Sequence, residues 1–221
     1  MNIKPIARIK NDFDDKFGIP RQSGRVKTEG RIVFEKEYQN PDYIKGIEQF
    51  SHLWLIWEFS ENINHKECAT VRPPRLGGNI RIGVFASRAP FRPNNLGLSC
   101  VKLVGIEKAV NGFELIVEGA DLMNGTPIYD IKPYIPYTDC TNDAAGGFAE
   151  KHKEHALNVE ISENFINRIP TKKQQMLLDI LKDDPRPAYH NDNDRIYGFS
   201  FSGYEIKFNV KNDTIIVTDI I

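Results

Sequence analysis

Three stretches of this 221-residue chain concentrate arginine, proline, glycine and asparagine more densely than a surface turn needs. The first is Gly18-Ile19-Pro20-Arg21-Gln22-Ser23-Gly24. The second opens with Thr70-Val71-Arg72-Pro73-Pro74-Arg75 and runs into Ala86-Ser87-Arg88-Ala89-Pro90-Phe91-Arg92-Pro93-Asn94-Asn95-Leu96-Gly97-Leu98-Ser99. The third, Asp121-Leu122-Met123-Asn124-Gly125-Thr126-Pro127, leads into Asp130-Ile131-Lys132-Pro133-Tyr134. Proline fixes φ and removes a donor, while glycine allows positive φ and close backbone approach. Loops built this way have little entropy left to lose when a ligand binds. Arginine offers a planar fork to carboxylate or phosphate, and asparagine can read a base edge. One such loop is equally a tight corner whose arginines satisfy carbonyls; three in one chain point to a ligand site. A fourth stretch, Asp183-Asp184-Pro185-Arg186-Pro187-Ala188-Tyr189-His190, sets an arginine between prolines ahead of a tyrosine. That arrangement suits a phosphate and a stacked base, and serves a helix terminator equally well.

Other chemistries are not written in the chain. There is no Gly-x-Gly-x-x-Gly and no Gly-x4-Gly-Lys-Ser/Thr, so neither a dinucleotide fingerprint nor a Walker loop is present. No Gly-x-Ser-x-Gly occurs, which leaves a nucleophilic hydrolase without support. His52 falls in an apolar run and reads as a hydrogen-bonded core residue. His65, His152, His155 and His190 lack metal-ligand spacing, so no metal is expected. Cys68, Cys100 and Cys140 form an odd, unspaced trio that fits reduced thiols in a cytoplasm. No apolar leader or membrane-length run is seen.

Net charge is −1, from 29 Lys plus Arg against 30 Asp plus Glu, but the charge is uneven. From Cys68 to Ile106 there is no acidic residue, while Arg72, Arg75, Arg81, Arg88, Arg92 and Lys102 fall inside. The strip either attracts an anion or nucleic-acid backbone, or pairs with acidic neighbours in the fold.

The elements that must carry these loops are mostly short strands. Asn2–Ile9, Arg31–Glu35, Phe50–Phe59, Asn79–Phe85, Leu98–Val110, Gly112–Gly119 and Thr126–Ile131 read as strands, Phe50–Phe59 as one buried on both faces. Asn111-Gly112 is a hairpin signal. Strands without alternating helices predict an antiparallel, barrel-like sheet. Composition shifts over Tyr137–His155, which divides the chain into residues 1–156 and 157–221. The second unit reads as small and α+β. Helices are expected over Ser162–Arg168 and Thr171–Lys182, with Thr171 as N-cap, followed by strands Arg195–Phe201, Tyr204–Val210 and Thr214–Thr218.

Taken together, PRQSG, FSHLW, TVRPPRLGGN, GVFASRAPFRPNNLGLS, DLMNGTPIYDIKPY and DPRPAYH closely resemble the TsaA-like, TrmO-type tRNA methyltransferases, in order over nearly the whole chain. The resemblance implies a β-barrel that binds S-adenosylmethionine without a metal, a small C-terminal domain and a homodimer. It implies methylation of N6 of the threonylcarbamoyladenosine beside the anticodon of threonine tRNA. Its cofactor contacts fall on Pro20, Arg21, Gln22, Ser60, Glu61, Arg88, Leu98, Asp121, Leu122, Met123 and Asn124, with Asp121 the candidate base. Contacts with tRNA are expected from Arg92, Asp184, Arg186, Pro187 and Tyr189. Relatives frequently carry His-Gln where this chain has Ser60-Glu61, Asp in place of Asn124, and Pro-Ile in place of Asn95-Leu96. The rival expectations are a non-catalytic cofactor- or tRNA-binding module, and a methyltransferase with a small-molecule acceptor.

Overall fold

The computed structural model describes residues 2–63, 66–76, 79–110, 112–152, 156–186 and 192–221. The first part of the chain forms β1 (Ala7–Lys10), β2 (Glu29–Phe34), β3 (His52–Glu58), β4 (Thr70–Val71), β5 (Ile82–Gly83), β6 (Leu96–Ala109), β7 (Gly112–Glu118) and β8 (Pro127–Pro133). Six of these pair as a closed antiparallel barrel in the order β1-β2-β7-β6-β3-β8. The closing seam is short, with Ala7 opposite Ile128 and Arg8 opposite Pro127. β4 and β5 make a separate ribbon within the β3–β6 connection.

Alternation explains the barrel better than the apolar run first suggested. In β3, Leu53, Leu55 and Trp57 are buried, whereas His52, Trp54, Ile56 and Glu58 are half-buried on the outside. The strand is therefore not buried on both faces, as a period of two requires for a barrel stave. Its outer face is covered by the chain after β8. Trp54 Nε1 donates to Asp139 Oδ2 at 3.0 Å, and Tyr134 packs against Trp54 and His52. His52 is thus an outer-face residue bonded to Ser51 Oγ at 2.9 Å, not a core residue. The strand expected over Asn79–Phe85 shrinks to Ile82–Gly83. Its partner β4 runs straight into Pro73-Pro74, which have no N–H to extend the ladder. A 3-10 turn, Val84–Ala86, follows instead. β1 likewise begins only after Pro5.

A single turn, α1 (Pro136–Asp139), follows β8, and the second part contains β9 (Asn158–Glu160), α2 (Glu163–Ile166), α3 (Thr171–Lys182), β10 (Tyr197–Phe201), β11 (Tyr204–Lys211) and β12 (Thr214–Ile220). The sheet order is β10-β11-β12-β9, with β9 parallel to β12. Asn212 and Asp213 both take positive φ, 46° and 61°, as the tight hairpin they join requires. The first expected helix is only one turn, and its exit tightens to bonds three residues apart, from the Arg168 amide to the Phe165 carbonyl and from the Ile169 amide to the Ile166 carbonyl. Pro170, not Thr171, occupies the N-cap of α3. Leu177, Ile180 and Leu181 of α3 are buried on the sheet. Asn111 lies outside the described residues, although Gly112 begins β7 where a hairpin was expected.

Two apolar cores result, and the loop between β1 and β2 connects them. Phe13 and Val26 are buried in the second core, with Phe17 and Ile19 packed against it. A Cβ on Gly18 would lie 2.4 Å from Phe199 Cδ2, so the loop rests directly on β10. Lys173 Nζ donates to Asp12 Oδ1 at 2.6 Å, and the Ser200 amide donates to Asp15 Oδ2 at 2.7 Å. β8 of the barrel ends at Pro133 and β9 of the second sheet begins at Asn158, while Phe13 and Val26 of the β1–β2 loop are buried in the second core.

Candidate active site

A cleft of about 1460 Å³ opens where the β1–β2 loop, the β3–β6 connection and the β7–β8 loop meet, with Pro185 at its C-terminal border. Drug-sized ligands occupy roughly 300–1,000 Å³, so the cleft has room for two reactants. Arg21, Gln22, Ser60, Glu61, Arg88, Asp121 and Met123 line it, as do Trp57 and Glu58.

Asp121 is the chemical centre of this wall. Trp57 Nε1 donates to Ser99 Oγ at 2.9 Å, and Ser99 Oγ donates to Asp121 Oδ1 at 2.5 Å. Ser99 is fully buried, so its hydroxyl is committed to this relay. Burial pushes the Asp121 carboxyl above the ordinary carboxylate range; the Ser99 hydroxyl, the amides of Asp121 and Ser23, and the Arg88 charge pull the other way. Strand register brings the relay together. Leu55 pairs with Ser99 and Trp57 with Gly97 across β3 and β6. Gly97 is obligatory there: a Cβ would meet Trp57 Cε2 at 2.4 Å.

Arg88 is exposed to the cleft and donates to Gln22 Oε1, tying the second loop to the first. On the neighbouring rim, Tyr129 donates its hydroxyl to Glu58 Oε2 at 2.8 Å. Burial and that carboxylate push the Tyr129 pKa up to about 12, so it remains a donor at physiological pH. Lys16 Nζ donates to the Glu61 carbonyl at 3.2 Å and fixes the Ser60–Asn62 turn.

The remaining expected contacts sit elsewhere. Pro20 is buried beneath Arg21, and Leu122 is fully buried in the barrel core. Leu98 is 52% exposed on the outer face of β6 and does not line the cleft. Asn124 joins two loops: its Nδ2 donates to Asp14 Oδ1 at 3.0 Å and its Oδ1 accepts from the Asn11 amide at 3.2 Å. An aspartate at 124 could not donate to Asp14, which accounts for the amide here. Asn95 takes φ 44°, a value closed to proline, and bonds the Phe59 carbonyl through Nδ2 at 2.8 Å. Of the expected tRNA residues, Arg92, Asp184 and Arg186 are bonded within the protein. Arg92 Nη1 donates to the carbonyls of Val84 at 3.2 Å and Ser87 at 2.7 Å. Arg186 Nε donates to the Asp184 carboxylate at 3.0 Å, and Arg21 donates to the Asp184 carbonyl at 3.1 Å. Pro187 and Tyr189 lie outside the described residues, as do His65, His155 and His190.

The basic strip divides between the two readings of its charge. Arg81 bonds Thr70, Arg92 braces its own loop, and Lys102 pairs with Glu118 at 3.6 Å. Arg72, Arg81 and Arg88 line the cleft, so part of the strip faces it. Ser99 and Trp57 were absent from the expected site; inward alternation of a serine in an otherwise apolar stave was the available signal.

Comparison with known proteins gives a concordant result. A model of the tRNA-methyltransferase O N-terminal domain matches residues 8–140, and one of the TrmO C-terminal domain matches residues 154–221. The tRNA (adenine(37)-N6)-methyltransferase of Escherichia coli K12 is 34% identical over 213 residues, covering 93% of this chain and 90% of that protein. A putative S-adenosylmethionine-dependent methyltransferase, RcsF, of Pseudomonas aeruginosa is 36% identical over 99% of this chain and 97% of its own length. The crystal structure of TrmO from Pseudomonas aeruginosa superposes with a TM-score of 0.81 at 32% identity, covering 100% of this chain and 97% of that one.

Proposed function

The chain belongs to the tRNA-methyltransferase O family, and from that premise we infer that it transfers a methyl group from S-adenosylmethionine to N6 of adenine 37 in tRNA. The observation carrying this reading is the match of both family domains along the chain, with Asp121 set in the cleft that they frame. We propose the finer assignment that the acceptor is threonylcarbamoyladenosine in threonine tRNA.

S-adenosylmethionine, when bound, supplies an electrophilic methyl on a sulfonium. The donor set suits that molecule. Glu58, Glu61 and Asp121 line the cleft with negative charge for a cationic donor, Arg88 offers a fork to its carboxylate, and Trp57, Phe59 and Met123 give apolar wall. The expected contact positions Arg21, Gln22, Ser60 and Glu61 share this wall, while Pro20, Leu122 and Asn124 hold its loops in place. N6 gains a methyl and loses its hydrogen, so one proton must leave. Asp121 takes it, because a carboxylate with a raised pKa is a better base than an ordinary one. Ser99 and Trp57 hold that carboxylate in one orientation. Alignment by stiff loops supplies the larger share of the rate, about 7–11 kcal/mol in well-oriented systems.

We also propose a homodimer in the cytoplasm. Leu98, Val104 and Ile106 present exposed apolar side chains along β6, a surface that a second copy would cover. No described helix is long and apolar enough to cross a membrane. The functional assignment is tested by incubating the protein with labelled S-adenosylmethionine and tRNA from cells with and without the threonylcarbamoyl modification, then digesting to nucleosides. Label in N6-methylated threonylcarbamoyladenosine alone is expected. Label in unmodified adenosine would refute the finer assignment, and label outside RNA the coarser one.

A further inference from the structure

Phe85 is 79% exposed within the lining of the cleft. Its position is tightly built. It sits in the middle of the Val84–Ala86 turn, whose first residue, Val84, is buried. The Val84 amide donates to the Ala69 carbonyl at 3.0 Å, and the Val84 carbonyl accepts from the Ser87 amide, the Ser87 hydroxyl and Arg92. The Arg92 guanidinium lies 5.9 Å from the Phe85 ring centroid and is itself held by the Ser87 carbonyl at 2.7 Å. A phenylalanine presented so openly forgoes the burial that its side chain would otherwise gain. The turn is too constrained for the ring to reach that burial by folding back.

The surroundings specify what covers it. The turn lies in the segment from Cys68 to Ile106, which has no acidic residue. Arg72, exposed and lining the same cleft, makes no hydrogen bond or ion pair among the described residues. A fixed aromatic face in one cleft with an open guanidinium, that of Arg72, is the chemistry that holds an unstacked base of a single-stranded nucleic acid. The methyl donor also has an adenine face, but the carboxylates that suit its sulfonium, Glu58, Glu61 and Asp121, all lie outside this acid-free segment. We propose that Phe85 is a stacking platform for an unstacked base of the tRNA anticodon loop, with Arg72, which lines the same cleft, engaging the phosphate backbone. This rests on the assignment as a tRNA methyltransferase.

The test compares the full-length protein with Phe85→Leu, Phe85→Ala and Phe85→Trp. Melting temperature is measured first, then affinity for S-adenosylmethionine by calorimetry and affinity for tRNA by filter binding. Loss of one base–aromatic stack predicts tRNA binding weakened about tenfold or more in the Leu and Ala variants. Cofactor affinity and melting temperature should hold, and Phe85→Trp should bind within about threefold of wild type, since every aromatic offers a π face. Phe85→Leu binding tRNA like wild type would overturn the platform. So would weakened cofactor binding with tRNA affinity intact, which would assign the ring to the donor's adenine. If wild type neither binds nor methylates tRNA, the functional assignment fails and the platform with it; if wild type methylates normally, only the platform is at stake.

Discussion

Asp121 carries a stability cost that its chemistry explains. Its folded pKa is raised by burial above the value of an unfolded aspartate, so its contribution to stability is full below the unfolded pKa and is lost as pH rises through the folded one. Asp121→Asn should therefore unfold at a higher temperature than wild type near neutral pH, with the gap closing in acid, while methyl transfer falls. Thermal melts across pH 3–8 check it, and a variant less stable at neutral pH would contradict the sign. Gly97 is a second residue with one tolerated identity. Gly97→Ala drives a methyl into Trp57, and overpacking of this kind costs about 1–3 kcal/mol. Denaturant unfolding should register that loss, with activity reduced because Trp57 can no longer hold Ser99. The loops were legible in the sequence because their function is written in composition: Arg88, Gln22 and Asp121 stand out by type. The relay behind them was not. Trp57 and Ser99 lie 42 residues apart and meet only through the register of β3 with β6.

Among the elements, the β1–β2 loop does the joining. Asn124 fastens it to the β7–β8 loop through Asn11 and Asp14, and Lys173 fastens it to α3 through Asp12. Asn124→Asp would set a carboxylate against Asp14, so cofactor affinity should fall at neutral pH and recover partly in acid, as titration calorimetry at two pH values would reveal. Undiminished affinity at neutral pH would show that the joint does not shape the cleft. The barrel was legible from alternation and turn signals, since each stave exposes one face. The bridging role of residues 12–26 was not, because Phe13, Phe17 and Ile19 follow neither a helical nor a strand period. Their burial is decided by β10 and α3, far along the chain.

At the scale of the whole molecule, the β1–β2 loop hydrogen-bonds the barrel through the Gly24 amide and the Gly119 carbonyl while burying Phe13 and Val26 in the second core, so the two parts should unfold together. Phe13 is 1% exposed in the second core although it belongs to the first part of the chain. Phe13→Ala should destabilise by about 3–5 kcal/mol and should lower the midpoints of both parts together. Fluorescence from Trp54 and Trp57 would follow the barrel while far-ultraviolet dichroism follows α3. Two separated transitions would show independent units. The cleft walls come from three segments distant in sequence, which methyl transfer needs held in one geometry.

The most direct measurement of the central claim is single-turnover methyl transfer to tRNA at saturating S-adenosylmethionine, comparing wild type with Asp121→Asn. Saturation removes any change in cofactor affinity from the comparison. If Asp121 accepts the N6 proton, the rate should fall by about 10²–10⁴, the usual contribution of a general base, with tRNA affinity unchanged. A rate within about threefold of wild type would contradict the account, because the proton would then leave by another route.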